Sequence, residues 1–232
     1  PAALLDMTEL RDTLADATGR GNDAQVRQVW RDTPAVVSGE ITFGQKDIYR
    51  FTLAETKRIY FDSLTDNSRI NWSLTGPRGS VVSARTLQSS DAENGTSIFD
   101  LVAGDYSRVI AGVTDATGGY GFRLLDLADA QPLVLGTVVN GTLQPANETE
   151  VYAFDAVAGE RIYFDYTAHS GGVPFWRLLD PEGRTVWGSA YLPSDNVQMQ
   201  SMPLSGRYTL LIEGRRDAGV GASTYAFRTQ RV

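Results

Sequence analysis

The pentapeptide RIYFD stands at Arg58–Asp62 and again at Arg161–Asp165 of a 232-residue chain. Working outward from the two copies, the matches continue. Tyr49 and Phe51 fall on Tyr152 and Phe154, Gly39 on Gly141, and Trp72 and Leu74 on Trp176 and Leu178. Downstream, Pro77 and Gly79 meet Pro181 and Gly183, Gly104 and Tyr106 meet Gly206 and Tyr208, and Tyr120 and Phe122 meet Tyr225 and Phe227. The offset drifts by only one or two residues, as it does when insertions sit in loops. One structural unit is therefore written twice.

Each shared piece reads as a strand. Tyr49/Phe51 and Tyr152/Phe154 alternate with polar residues, which is the period of a half-buried strand. In RIYFD, Ile59 and Phe61 face one side, with Arg58, Tyr60 and Asp62 on the other. Gly-Pro-Arg-Gly (76–79) and Asp-Pro-Glu-Gly (180–183) are turns, because Pro presets φ at the first central position and Gly relieves a positive φ at the exit. Gly104-Asp-Tyr106 and Gly206-Arg-Tyr208 are a second turn leading into a strand. Short strands with turn signals every ten residues or so indicate an all-β sandwich.

The order of these pieces resembles the bacterial pre-peptidase C-terminal domain. That family is a small jelly-roll-like β-sandwich found beside secreted proteases and in long extracellular proteins. The second copy carries the resemblance best, through Tyr152, Phe154, Ala158-Gly159, Phe164-Asp165, Asp180-Pro181-Glu-Gly183 and Leu204-Ser-Gly206-Arg-Tyr208-Thr-Leu210. The first copy departs from it at Glu55-Thr56 and at Gly76, which stands where the second has Asp180. The resemblance covers residues 38 to 232. It implies two tandem jelly-roll-like β-sandwich domains, and its motifs are turns and core aromatics, not catalytic groups.

The segment before the first copy reads differently. Asp6 with Glu9 three residues on has the form of a capping box, and Met7, Leu10, Leu14 and Ala17 share a helical face. Gly19 or Gly21 ends that helix. A second short helix is expected from Asn22 or Asp23 to Trp30. The division of the chain is then a short α-helical N-terminal segment at 1–37, repeat 1 at 38–127, a linker at 128–135 and repeat 2 at 136–232. The helical segment is either a spacer docked on the first sandwich or an interaction helix. Leu4-Leu5-Asp6 resembles Leu124-Leu125-Asp126, so the segment also reads as the tail of a preceding repeat. From a start at Pro1 without Met, the chain is expected to be a piece or a processed product.

Composition narrows the function. The net charge is −7 and there is no basic cluster, which argues against nucleic acid as a partner. No run approaches the roughly 18–20 apolar residues of a membrane span, so no membrane insertion is expected. The absence of cysteine removes disulfides, thiolate chemistry and Cys-based zinc sites. The single histidine, His169, lies in a His-Ser-Gly-Gly loop, and no nucleophile elbow is present. Gly118-Gly119-Tyr-Gly121 precedes a strand, not a helix, and is not a nucleotide loop. The chain is read as a non-enzyme.

Two ligand classes stay open. Ca²⁺ takes hard oxygen donors, and acidic loops offer Asp62/Asp66/Asn67, Asp91/Glu93/Asn94, Asp115, Asp165, Asp180/Glu182 and Asp195/Asn196, none in an EF-hand pattern. Calcium is also bound by some members of the resembled family. For glycans, the signal is an aromatic belonging to one copy only. Trp187 aligns near Ser83, and with Tyr191, Asp195 and Asn196 it forms a repeat-specific candidate binding stretch. Trp72 and Trp176, being shared, are core residues. The expected role is a non-catalytic module of a secreted or cell-surface bacterial protein, serving as spacer, adhesion or ligand-binding unit. Its partners would be neighbouring repeats of the same polypeptide, or a glycan or other surface polymer. The alternative is an accessory module of a secreted hydrolase such as a protease, aiding secretion or holding a polymeric substrate.

Overall fold

A computed structural model describes residues 12–14, 24–28, 36–91, 97–192, 199–219 and 221–232. These residues form four sheets, two for each copy of the repeat. In chain order the first copy contributes β1 (Asp12–Leu14), β2 (Ala24–Gln28), β3 (Val37–Ile41), β4 (Lys46–Leu53), β5 (Lys57–Ser63), β6 (Ile70–Gly76), β7 (Gly79–Thr86), β8 (Ile98–Leu101), β9 (Gly104–Gly112) and β10 (Gly118–Asp126). One sheet has the order β1-β2-β4-β9-β6-β7 and the other β3-β10-β5-β8. The second copy contributes β11 (Gln131–Pro132), β12 (Val138–Leu143), β13 (Thr149–Ala156), β14 (Arg161–Ser170), β15 (Phe175–Leu179), β16 (Thr185–Tyr191), β17 (Met199–Ser201), β18 (Gly206–Glu213) and β19 (Ser223–Arg231). Its sheets run β11-β13-β18-β15-β16 and β12-β19-β14-β17. The all-β sandwich expected from the repeat is what the chain forms.

The shared residues make the same contacts in both copies. Phe61 stacks on Trp72 at 4.0 Å between ring centroids, and Phe164 meets Trp176 edge-on at 6.1 Å. Phe51 stacks on Tyr106 and Phe154 on Tyr208. Tyr106 Oη donates to the Val102 carbonyl at 2.8 Å, and Tyr208 Oη to the Leu204 carbonyl at 2.7 Å, so each tyrosine ties down the turn that precedes it. That turn explains why glycine recurs there. Gly104 and Gly206 have φ of 136° and 140°, and a Cβ on either would come within 2.8 Å of the ring of Pro77 or Pro181. The two turn motifs of the repeat are thus a single contact.

The N-terminal helices are corrected where residues are described. Asp12–Leu14 and Ala24–Gln28 are strands. β2 pairs in parallel with β4, Val26 opposite Ile48, just as β11 pairs in parallel with β13. The edge of β4 offers unpaired backbone donors and acceptors, and a short isolated helix has little to set against that. The remaining residues of both expected helices lie outside the described residues.

One core position differs between the copies. Arg108 occupies the place that Leu210 fills in the second copy, and it is 1% exposed. Its guanidinium lies 4.1 Å from the Phe122 ring centroid, 4.8 Å from Phe61 and 5.4 Å from Trp72. Burial lowers its pKa to about 9, against the pull of the Tyr49 and Tyr120 hydroxyls. Ring contacts recover part of the cost of desolvating the charge, but Nε has no hydrogen-bond partner among the described residues. Arg108→Leu, which copies the second repeat, is expected to leave stability unchanged or to raise it by up to about 4 kcal/mol. Urea unfolding measures this, and a loss of several kcal/mol would show that the cation holds the core together.

Candidate functional site at the module junction

β5 and β10 carry alternating residues, so one face of their sheet fills the first core and the other points away. Ile59 and Phe61 go inward; Tyr60 and Asp62 go outward, yet both are 0% exposed. They are covered by the second sandwich. Tyr60, Leu125, Leu127 and Ala130 pack with Val151, Ala153, Leu179 and Leu211 in one apolar cluster, with Ile98 at its edge. The outer face of the β3-β10-β5-β8 sheet therefore lies on the outer face of the β11-β13-β18-β15-β16 sheet.

Set into this apolar seam is a row of charged groups. Arg123 Nη2 lies 2.6 Å from Asp62 Oδ2 and donates to the Thr149 carbonyl at 2.8 Å, while Nη1 reaches Glu148 Oε2 at 3.0 Å. One guanidinium thus joins a carboxylate of its own module to a carboxylate and a carbonyl of the other. Tyr60 Oη donates to Glu213 Oε1 at 2.7 Å, and Arg177 Nη2 lies 3.1 Å from the same oxygen. At the rim, Arg58 Nη2 donates to the Glu182 carbonyl at 2.7 Å, and Arg216 pairs with Asp66 at 3.2 Å. A cleft of about 310 Å³ opens at this edge, lined by Lys57, Arg58, Asp126, Asp180, Pro181 and Arg207 among others.

Burial acts on the acids of the seam. It pushes the Asp62 carboxyl up to about 6 despite Arg123, and raises Asp91 and Glu213 as well. The charge on Asp62 adds to the rise at Asp91. Asp62 Oδ1 and Asp91 Oδ1 have no hydrogen-bond partner among the described residues. A carboxyl whose pKa is higher folded than unfolded binds protons preferentially in the folded state. Its contribution is complete below the ordinary carboxyl pKa, near 4, and is lost as pH rises through 6. Unfolding free energy is therefore expected to be greater at pH 5 than at pH 7.5. Asp62→Asn should flatten the trend by about 1–3 kcal/mol over that window. Urea titrations of both proteins at the two pH values measure it; identical slopes would show that Asp62 does not titrate as described.

The residues expected to bind ligand are placed as follows. Trp187 is half-buried, with its ring edge-on to Phe164 and Trp176, both at 5.4 Å. It completes the second core. Tyr191 is 46% exposed and stacks on Phe175 at 4.6 Å. Asp195 and Asn196 lie outside the described residues. His169 shares a hydrogen bond of 2.6 Å with Tyr166 Oη. The described residues do not suit calcium. Asp62 and Asp165 face arginines, Asp180 Oδ1 accepts from the amides of Glu182 and Arg184, and Asp91 accepts from the Ser63 amide. Among the described residues no three acidic or histidine side chains converge as a metal site. Glu93 and Asn94 lie outside them.

The sequence reading missed Arg123, Glu148, Arg177 and Glu213. One signal could have found the junction. Tyr60 and Asp62 recur as Tyr163 and Asp165, and Arg123 recurs as Arg228, although a sandwich core requires none of them.

No family model matches the chain, and no curated protein does. Among solved structures, one similar chain is PliG, a periplasmic inhibitor of g-type lysozyme from Aeromonas hydrophila. It is 18% identical, with 44% of this chain and 96% of that one aligned and a TM-score of 0.32. Another is the CUB1-EGF-CUB2 fragment of rat MASP-1, 7% identical, with 88% and 99% aligned and a TM-score of 0.31. Likenesses this loose carry no functional weight. Among the described residues no helix is long and apolar enough to cross a membrane.

Proposed function

We propose that the chain is a non-catalytic, rigid two-module unit of a larger secreted or surface-attached bacterial protein, holding its neighbours at a fixed distance and angle. The observation that supports this reading is the sheet-to-sheet junction. A short linker alone would restrict bending, but here Ala130 of the linker and Leu127 just before it are themselves buried in the seam. Interfaces between domains of one chain are ordinarily small and polar, and leave the domains free to move. An apolar seam with fully buried side chains departs from that pattern. The resemblance to pre-peptidase C-terminal domains agrees with an extracellular setting.

The chain has no cysteine, so two introduced thiols are unique labelling sites. Val81→Cys and Val138→Cys place spin labels at exposed positions on the two sandwiches. Electron–electron resonance is expected to give one narrow distance distribution. A broad distribution spanning many ångströms would mean hinged modules and would remove the spacer reading.

A further inference from the structure

The junction buries a face whose counterpart in the second copy is open. Asp62 opposite Arg123 becomes Asp165 opposite Arg228. Tyr60, flanked by Ile98 and Leu125, becomes Tyr163, flanked by Met199 and Gln230. Arg58 at the rim becomes Arg161. The ion pair survives, at 2.9 Å, but the side chains of Arg228 and Asp165 are 38% and 30% exposed, against 10% and 0% for Arg123 and Asp62. Met199 is 51% exposed. Of the six positions, Gln230 alone changes character. In RIYFD the inward Ile and Phe serve the core in both copies. The outward Arg, Tyr and Asp serve the junction in the first copy; in the second, Arg161 donates to the Met199 sulfur at 2.8 Å and Asp165 pairs with Arg228, both at the surface.

We infer that the outer face of the β12-β19-β14-β17 sheet is a docking face for a further β-sandwich module. That module would present what the second sandwich presents to the first. Its strands would carry aliphatic side chains at the positions of Val151, Ala153 and Leu211, and a carboxylate at that of Glu213 to accept from Tyr163. Arg228 would leave its partly hydrated pairing with Asp165 and bridge to a second carboxylate or a strand carbonyl, as Arg123 does. The contact is heterologous, so each added module would expose a new copy of the same face. The inference rests on the existing junction, and its failure would leave that junction intact.

The test is a three-module chain in which residues 127–232, carrying Met199→Leu, are appended after Arg231, the position equivalent to Asp126; the substitution gives the Met202 peptide of the appended module a mass different from that of the middle module. The probe is the appended module itself, and the readout is peroxide oxidation of methionine followed by mass spectrometry. Met199 of the middle module is expected to oxidise at least about threefold more slowly than in the two-module protein, because it becomes partly covered, as its counterpart Ile98 is at the edge of the first seam. Arg228→Glu in the three-module chain should restore the faster rate. Met202, which is 0% exposed, reports folding of each module and should stay unreacted throughout. An unchanged Met199 rate would overturn the inference, as would protection that survives Arg228→Glu. Oxidation of the appended module's own Met202 would also count against it, since the same sequence folds against the homologous face in the natural chain. The spin-label distances are measured on the two-module protein without the appended module, so the proposed function stands or falls independently of these outcomes.

Discussion

Replacing Arg123 by alanine is expected to lower the free energy of unfolding by about 3–5 kcal/mol. Among the described residues, Arg123 is the only cation paired with both Asp62 and Glu148. Its loss strands two carboxylates in the seam, one of them fully buried, and removes a charged donor from the Thr149 carbonyl. Breaking a buried pair by removing one partner costs more than the pair ever contributed, because the survivor stays desolvated. The repeat supplies its own control. Arg228 makes the same pair in the second copy, where both side chains reach water, so Arg228→Ala is expected to cost under about 1 kcal/mol. Urea unfolding of the two variants measures the contrast. Equal losses would mean that the first pair is not buried by the second module.

Leu211→Asp is expected to separate the two sandwiches without unfolding either. Leu211 is 0% exposed and belongs to the seam, whereas its chain neighbours Leu210 and Ile212 belong to the second core. An unpaired charge in the seam is among the few single changes that cost on the order of 4 kcal/mol. The chain can avoid that cost by undocking. Calorimetry should then resolve two transitions in place of one, with scattering showing a more extended particle. Leu210→Asp, one residue away, should instead abolish the transition of the second sandwich, because the charge would sit in its core. A single unaltered transition for Leu211→Asp would show that the modules do not depend on the seam.

The fold was legible because its signals are local. The two copies of RIYFD, the Tyr-x-Phe pairs and the Pro/Gly turns each state a strand or a turn within a few residues, and the structure joins them through Pro77 with Gly104 and Pro181 with Gly206. The alternation also sorted Ile59 and Phe61 from Tyr60 and Asp62. What the outward pair meets was not legible. The same pentapeptide is buried by another module in one copy and open to water in the other, and nothing within five residues distinguishes the cases. Trp187 shows a second limit. By sequence spacing it falls near Ser83 and so resembled a surface residue, but it sits opposite Leu178 as the buried Val82 sits opposite Leu74, and its ring joins the second core. The N-terminal helical spacing was real as a pattern, yet it carried no information about the open edge of β4 that β2 occupies.

The central claim is that two copies of one sandwich form a single rigid body through the Tyr60–Asp62 face. Backbone ¹⁵N relaxation of the natural two-module chain tests it most directly. If the seam is closed in solution, amides of both sandwiches fit one rotational diffusion tensor, with a correlation time set by the whole 25.3 kDa particle. If each sandwich requires its own tensor and tumbles faster than that, the junction does not hold and the rigid-spacer function falls with it.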